Sequence, residues 1–357
     1  MHSKAGVRRR APWVDDLGVV PASSNSMKIC IYGAGAVGGN LAARLAQAGN
    51  DVCVVARGET LAAICERGIT IHAGDQQIHQ RIRASDRPAD LGVQNVVVST
   101  LKASSLAVLA DGVAPLLGPE TSVVFAQNGI PWWYALDLAG SPKPLPDLSA
   151  LDPHGALASA IPRQSIIAAV VHSENAMISP GVVRNTSPET NKVLVANIDD
   201  TTSEHLSALR RVLVAASVQS PEVASVRQEI WQKLLSNLVT GMTILVEEPT
   251  VTMLADAAMR RIAERLLAEM VTIAAAYGIR VEPRLPAPAA GKKSSILQDY
   301  EQKRTMEVES QWMAPLAFAR SAMIAAPTLD AVAAMIAHRA AAKGLYASAG
   351  FSMSHQT

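Results

Sequence analysis

The sequence predicts an α/β domain followed by an all-α domain, and three observations lead to this prediction. Short Val/Ile-rich runs alternate with helical segments and Gly/Pro turns from residue 28 to about residue 198. From about residue 199 onward, helical periodicity dominates instead. The chain has 357 residues, of which 49% are hydrophobic and 18% charged, so it is long enough for two domains with sizeable cores.

The predicted strands of the first domain are short and rich in β-branched residues. They occupy residues 28–32, 52–56, 96–100, 122–126 and 165–171. Runs of this kind, separated by helices and turns, indicate a mainly parallel sheet with helices on its faces. Residues 181–186 and 193–196 are expected to add antiparallel edge strands.

A glycine-spaced turn follows the first predicted strand. Its glycines are Gly33, Gly35 and Gly38, with Ala36 and Val37 between them. Such glycines allow a tight turn, a close approach of a pyrophosphate to the backbone, and close packing of helix on strand. A helix at 40–48 and a strand at 52–56 complete a β-α-β unit. The pattern predicts a Rossmann-type domain that binds a dinucleotide; a glycine turn that serves packing alone is the alternative.

The residue after the second strand distinguishes the nicotinamide cofactors. An acidic residue there favours NAD, whereas an arginine accommodates the 2′-phosphate of NADP. This chain has Arg57 at that point, and Lys102 after the strand at 96–100 could supply a second cation. Cations and phosphate oxygens form strong charge-assisted hydrogen bonds. NADPH is therefore the predicted cofactor, with solvated loop cations as the alternative reading.

Helices are predicted at 202–216, 223–245, 255–277, 300–322 and 329–342. Small substrates usually bind in a cleft such as the one expected between a helical domain and a dinucleotide-binding sheet. On the helix at 223–245, Lys233, Asn237 and Gly241 are spaced four residues apart and form one line at the border of the apolar arc. That position suits a functional lysine, although a stem packed on apolar surface is also common. The apolar arc consists of Ile230, Trp231, Leu234, Leu235 and Leu238.

A polar segment at 292–309 follows a proline-rich loop. Its Ser294 and Ser295 could cap the next helix or bind a carboxylate, and Glu307 lies further on at helical spacing. From the residues alone, a helix cap and a solvated charged face are the preferred readings.

Composition excludes several classes of function. A net charge of +1 gives no reason to expect binding to nucleic acid or to an acidic membrane surface. The three cysteines lack metal-ligand spacing, so no metal site is expected, and they suit a reducing compartment such as the cytoplasm. No apolar stretch is long enough to cross a bilayer.

The expected domain boundaries follow from these patterns. Residues 1–26 are expected to form a flexible extension, 27–200 the dinucleotide-binding domain, 201–345 the helical domain, and 346–357 a flexible tail. The apolar residues of the helical domain permit a homodimer without requiring one.

Five ordered motifs together resemble the ketopantoate reductase family. After the glycine turn come T-L-K-A at 100–103, Q-N-G at 127–129 and W-Q-K-L-L-S-N at 231–237. S-S-I-L-Q-D follows at 294–299, with M-E-V-E at 306–309 where the family has T-E-I-D. The resemblance extends from residue 27 to about residue 342. It implies a Rossmann-type domain, a helical domain and an active site in the cleft between them.

The resemblance also implies roles for individual residues. Lys233 matches the catalytic lysine and Glu307 the substrate-binding glutamate. The remaining matches are substrate contacts at Asn128, Asn237 and Ser295, and cofactor contacts at Lys102 and again at Asn128. The implied activity is NADPH-dependent reduction of a 2-oxo acid, with 2-dehydropantoate converted to (R)-pantoate in pantothenate biosynthesis.

The chain departs from the family pattern at one position of the inferred pocket. Gly241 stands where the family has a second asparagine, which removes a hydrogen-bonding side chain. A different 2-oxo or 3-oxo acid is therefore an alternative substrate, and a non-catalytic dinucleotide sensor is a more distant alternative. Trp132 and Trp133 could either pack the loop or form the wall of a bulkier pocket.

Overall fold

The computed structural model describes residues 26–138, 140–287 and 293–348. The expected extension at 1–26 and the expected tail at 346–357 therefore lie almost entirely outside the described residues. None of the helices within the described ranges is both long enough and apolar enough to span a membrane.

A seven-stranded sheet forms the centre of the first half, and its strand order is β11-β8-β7-β6-β1-β2-β5. Every pair in this sheet is parallel except the antiparallel pair of β11 with β8 at the edge. The predicted α/β class and the five predicted strands are confirmed. The strands of the protein are β1 (Lys28–Tyr32), β2 (Asp51–Val55), β3 (Ile69–Ala73), β4 (Gln76–Gln80), β5 (Arg83–Ser85), β6 (Val96–Ser99), β7 (Ser122–Phe125), β8 (Ile166–Val171), β9 (Asn175–Ser179), β10 (Val182–Asn185) and β11 (Val193–Asn197).

A second, four-stranded sheet has the order β4-β3-β10-β9 and was not expected. The prediction of an antiparallel edge strand at 181–186 is wrong, because β10 is an inner strand that pairs in parallel with β3 and antiparallel with β9. The sequence did not predict this sheet because β4 is polar, and Ile78 is the one buried residue of that strand. Gly39 allows the sheet to approach the first helix, because a Cβ there would lie 2.8 Å from Val183 Cγ2.

Helices cover the seven-stranded sheet and form the second half. They are α1 (Ala36–Gln47), α2 (Gly58–Arg67), α3 (Leu106–Gly112), α4 (Ala156–Ala160), α5 (Glu204–Ala215), α6 (Val226–Gly241), α7 (Thr243–Val246), α8 (Thr250–Ala255), α9 (Ala257–Ala276), α10 (Ser295–Glu301), α11 (Ala314–Ser321) and α12 (Pro327–Ala342). The apolar residues of α5 belong to the same buried cluster as the sheet. Packing therefore places α5 with the sheet, although the helical domain was expected to begin at residue 201.

The prediction of one continuous helix at 300–322 is wrong. Helix α10 ends at Glu301, a π-helical turn occupies Glu309–Met313, and α11 follows. The chain changes direction at Lys303, because its φ of +53° lies outside the range of a right-handed helix. An ion pair between Arg304 and Asp299 (2.8 Å) closes this reversal. The irregular segment that results carries Glu307 toward the first half.

The two halves share one hydrophobic core. A single buried cluster contains Val97, Phe125 and Ala168 from the sheet together with Leu234 and Leu238 from α6. The whole predicted apolar arc of α6 is buried. Lys233 and Asn237 are only partly buried, so the polar line of α6 lies at the border of the core as predicted.

Candidate active site between the two halves

The glycine turn has the geometry that a dinucleotide requires. Gly33 has a φ of +105°, and its N–H donates to the carbonyl of Val55 at 3.0 Å. A Cβ at Gly38 would lie 2.0 Å from the carbonyl oxygen of Gly33, so only glycine permits this packing. A Cβ at Gly35 would meet nothing within 4 Å, so the backbone there is open to a ligand. No side chain caps the start of α1, which leaves its first N–H groups for an anion.

A groove runs from this turn to the end of β2. Its lining includes Gly33, Gly35, Ala56, Arg57, Thr60 and Leu101. Arg57 is exposed and forms no ion pair with any residue of the described ranges. Its guanidinium is therefore available to a phosphate at the position expected for the adenosine ribose. The residues of this groove fit a dinucleotide.

The ammonium of Lys102, unlike the guanidinium of Arg57, is already engaged by other residues of the protein. Its ammonium contacts Asp299 Oδ2 at 2.7 Å and donates to the carbonyl of Thr305 at 2.6 Å. Both partners belong to the second half, so Lys102 links the loop after β6 to the segment that carries Glu307. Its contact with the cofactor stays a prediction.

Three predicted site residues form one hydrogen-bonded chain between the two halves. Lys233 Nζ donates to Asn128 Oδ1 at 2.7 Å, and Asn128 Nδ2 donates to Glu307 Oε2 at 3.1 Å. The other carboxylate oxygen of Glu307 accepts from the backbone N–H of Ala103 at 3.2 Å. Gln311 Nε2 also donates to Glu307, at 3.4 Å. The loops after β6 and β7 thus meet α6 and the π-helical turn at one point.

Gly129 determines how the Asn128 loop docks. Its φ is +79°, and a Cβ there would lie 2.4 Å from the carbonyl oxygen of Ser310. Ile130 N–H donates to that same carbonyl at 2.8 Å, while the hydroxyl of Ser310 donates to the carbonyl of Asn128 at 3.1 Å. These contacts hold the asparagine of the Q-N-G motif in place.

Burial changes the protonation equilibria of both charged residues. It lowers the pKa of Lys233 to about 8, although the negative charge of Glu307 opposes this shift. Burial raises the pKa of Glu307, against the hydrogen bonds from Asn128 and Ala103 that favour its ionised form. A lysine with a pKa near working pH can both hold and release a proton.

The two remaining predicted substrate contacts, Asn237 and Ser295, take no part in this chain of hydrogen bonds. Asn237 is one helical turn after Lys233, and its side chain has no hydrogen-bond partner in the described part of the chain. Ser295 is the exposed first residue of α10. The cap predicted for this pair is made by Ser294, whose hydroxyl accepts from Leu297 N–H at 3.2 Å and lies 2.9 Å from the hydroxyl of Thr243. The contact of Ser295 with a substrate stays a prediction.

The sequence reasoning missed three residues close to the site. His172 directly follows β8, and burial together with the charges of Lys233 and Lys192 lowers its pKa to about 4, so it is neutral. A histidine at the carboxyl end of a predicted strand was a usable signal. Gln311 and Trp312 gave none, because they were expected to lie within a long regular helix.

The tryptophan pair after the Q-N-G motif packs in the core. Both side chains are buried, and Trp132 meets the ring of Phe125 edge to face, with 5.4 Å between the ring centroids. Within the described residues, no group of three or more His, Cys, Asp or Glu side chains could hold a metal ion.

The fold and the site define a two-domain dinucleotide-binding oxidoreductase, with a partly buried lysine between the halves. Family models agree: the model of Ketopantoate reductase PanE/ApbA matches residues 29–197, and the model of its C-terminal part matches residues 225–340. The 2-dehydropantoate 2-reductase of Mesorhizobium japonicum is 37% identical over 328 residues, which are 90% of this chain and 100% of the relative. The chain belongs to the ketopantoate reductase family.

Solved structures share this architecture. The structure of a protein from Ralstonia solanacearum MolK2 that is named a ketopantoate reductase matches with a TM-score of 0.78 and 30% identity. The match covers 90% of this chain and 100% of the other. The 2-dehydropantoate 2-reductase of Geobacter metallireducens GS-15 matches with a TM-score of 0.72 over 86% of this chain and 98% of the other. At 20% identity, the second likeness supports the fold alone.

Proposed function

We propose that this protein reduces a 2-oxo acid to a 2-hydroxy acid with NADPH, and that 2-dehydropantoate, reduced to (R)-pantoate, is its substrate. The observation that carries the proposal is the Lys233–Asn128–Glu307 chain, which joins the two halves beside the nucleotide groove. An ammonium group at that point can meet a carbonyl oxygen held between the halves.

The chemistry needs one hydride and one proton. Bound NADPH would supply the hydride to the carbonyl carbon of the oxo acid. Lys233, as ammonium, stabilises the negative charge that develops on the carbonyl oxygen and donates its proton there, so that a hydroxyl group and NADP⁺ result. A positioned acid of this kind contributes on the order of 10²–10⁴-fold to the rate. The lowered pKa of Lys233 makes the proton easier to release.

Asn128 and Glu307 orient the lysine. Asn128 accepts from the ammonium and donates to the carboxylate, so its amide is fixed in one orientation. The backbone N–H of Ala103 fixes the carboxylate from the other side. The remaining lone pairs of Glu307 can accept a hydrogen bond from a substrate hydroxyl, and Asn237 and Ser295 are the proposed further contacts.

Two observations support the choice of substrate and cofactor. The Mesorhizobium japonicum relative, which is 37% identical over its whole length, is named a 2-dehydropantoate 2-reductase. Arg57 is exposed at the end of the groove where an arginine selects the 2′-phosphate of NADPH. Gly241, which stands where the family has an asparagine, favours a second candidate, which is reduction of another 2-oxo or 3-oxo acid.

A direct assay tests the proposal. Purified protein is mixed with NADPH and 2-dehydropantoate, and oxidation of the nicotinamide is followed by its absorbance; stoichiometric formation of pantoate is the expected result. Oxidation with another oxo acid and not with 2-dehydropantoate would favour the second candidate. Tight NADPH binding without turnover of any oxo acid would favour a dinucleotide sensor and contradict the proposed catalysis.

A further inference from the structure

Asp86 lies in the nucleotide groove, at the end of the strand next to the one that leads to Arg57. Strand β5 is the edge of the seven-stranded sheet and pairs in parallel with β2, with Val55 opposite Ser85. The pairing continues beyond that point, because Ala56 N–H donates to the carbonyl of Ser85 at 3.1 Å. Asp86 therefore leaves β5 at the level where Ala56 and Arg57 leave β2, and it lines the same groove.

Other side chains than Asp86 hold the turn after β5. The hydroxyl of Ser85 donates to Asp90 at 2.9 Å and accepts from the backbone N–H of Arg87 at 3.0 Å, and the Arg87 guanidinium lies 3.8 Å from Asp90. Within the described residues, the exposed carboxylate of Asp86 forms no hydrogen bond and no ion pair, not even with Arg57. An ionised carboxylate only accepts hydrogen bonds, so this group is available to a donor in the groove.

The order of the strands indicates which part of a bound nucleotide Asp86 would meet. The pyrophosphate belongs at the glycine turn after β1, and the adenosine ribose belongs at the end of β2. Strand β5 is the next strand outward, about 4.8 Å from β2. Because the adenine base lies beyond its ribose, its place is toward the end of β5. Leu101 and Val108 also line the groove and supply apolar surface for the faces of a base.

The chemistry of adenine matches a carboxylate at one position. Its 6-amino group donates hydrogen bonds, whereas the ring nitrogens at its edges accept them. A carboxylate can therefore pair with the amino group and not with the ring nitrogens. In NADPH, one ribose hydroxyl carries a phosphate that a carboxylate repels, and Arg57 offers the cation that this phosphate needs.

We propose that Asp86 is a specificity-determining residue of the nucleotide site, where its carboxylate accepts a hydrogen bond from the 6-amino group of the adenine base. The inference rests on the proposed binding of NADPH and adds the recognition of its base. Arg57 and Asp86 then have separate roles at the ends of two neighbouring strands. Arg57 selects the 2′-phosphate, and Asp86 selects the base.

A matched pair of nucleotides tests this inference on the unaltered protein by binding alone. The pair is NADPH and its analogue with hydrogen in place of the 6-amino group, and the fluorescence of the reduced nicotinamide gives both dissociation constants. Because a hydrogen bond to a charged group is lost, the analogue should bind at least about fivefold more weakly. A smaller difference would overturn the inference, and reduction of an oxo acid with NADPH would leave the proposed function standing. Failure of NADPH itself to bind would remove both.

Asp86→Ala tests the carboxylate itself. This variant should bind the two nucleotides about equally, because it lacks the acceptor that distinguishes them. Asp51→Ala is the matched control, since Asp51 is an exposed aspartate at the amino end of β2, and the preference for NADPH should remain. The melting temperature establishes that each variant is folded.

Two results with the folded Asp86→Ala variant would refute the role of Asp86. One is that the variant keeps the wild-type preference between the two nucleotides. The other is that it keeps this preference and binds NADH more weakly, which would assign the carboxylate to the ribose hydroxyls instead. The nucleotide pair on the unaltered protein decides if the variant does not fold.

Discussion

Asn128 and Glu307 are 179 residues apart in the chain, and their side chains are hydrogen-bonded at 3.1 Å between the two halves. Because the same amide accepts from Lys233, it couples the proposed acid to the carboxylate. Asn128→Ala should lower kcat by about 10–100-fold while NADPH affinity changes little, since two charge-assisted hydrogen bonds are lost.

Steady-state kinetics and NADPH titration check this prediction. Asn95→Ala is a suitable control, because that side chain accepts from Lys28 N–H at the opposite end of the strands. An Asn128→Ala protein with wild-type kcat would mean that the lysine needs no orientation by the amide.

The pH dependence of reduction follows from the pKa of Lys233. Burial lowers this pKa to about 8, so the ammonium form is lost as the pH rises through that value. The kcat/KM for oxo-acid reduction should therefore be constant below about pH 8 and fall about tenfold per pH unit above it. A profile that stays level up to about pH 10, the range of an exposed lysine, would contradict the assignment of Lys233 as the acid.

Arg57 should determine the choice between the two nicotinamide cofactors. Arg57→Ala should weaken NADPH binding by about 10–100-fold and leave NADH binding nearly unchanged, because only NADPH carries the 2′-phosphate. Arg67→Ala on the last turn of α2 is the matched control, since that arginine pairs with its neighbour Glu66 at the surface. Equal losses for NADPH and NADH would place the phosphate elsewhere.

Replacement of Lys102, unlike replacement of Arg57, should not discriminate between NADPH and NADH. The lysine ammonium is engaged by Asp299 and Thr305 of the second half, so Lys102→Met should loosen the segment that carries Glu307. Activity should then fall by a similar factor with NADPH and with NADH, which parallel kinetics with the two cofactors would reveal. A loss confined to NADPH would assign Lys102 to the 2′-phosphate instead.

Local signals in the sequence predicted the framework of this fold. The strands β1, β2 and β6 are apolar runs, and two glycines of the turn are required by local geometry: Gly33 by its positive φ, and Gly38 by its contact with the Gly33 carbonyl. Strands β3, β4 and β9 were missed because polar residues interrupt the apolar ones of β3 and most residues of β4 and β9 are polar or exposed. The parallel pairing of β3 with β10, which joins them into one sheet, depends on contacts distant in sequence. The break before Glu307 was missed because residues 302–308 contain no Gly or Pro to mark a helix end, and the local Asp299–Arg304 ion pair that closes the reversal leaves no such signal.

The candidate site was predictable only in part. Helical spacing placed Lys233 and Asn237 at the border of the core, but no local pattern relates them to Asn128 or Glu307; the resemblance to the family did so. The close packing of Gly241 on Trp312, where a Cβ would lie 2.6 Å from the indole, could not be predicted from the sequence, because it depends on where the π-helical turn lies. The homodimer and the cytoplasmic location stay predictions.

Single-turnover hydride transfer in Lys233→Ala tests the central claim most directly. Lys28→Ala, at the exposed amino end of β1, is the control lysine variant. With NADPH prebound and a saturating oxo acid, Lys233→Ala should transfer hydride about 10²–10⁴-fold more slowly than the unaltered protein, with NADPH affinity nearly unchanged. Hydride transfer at the wild-type rate in Lys233→Ala would contradict the account.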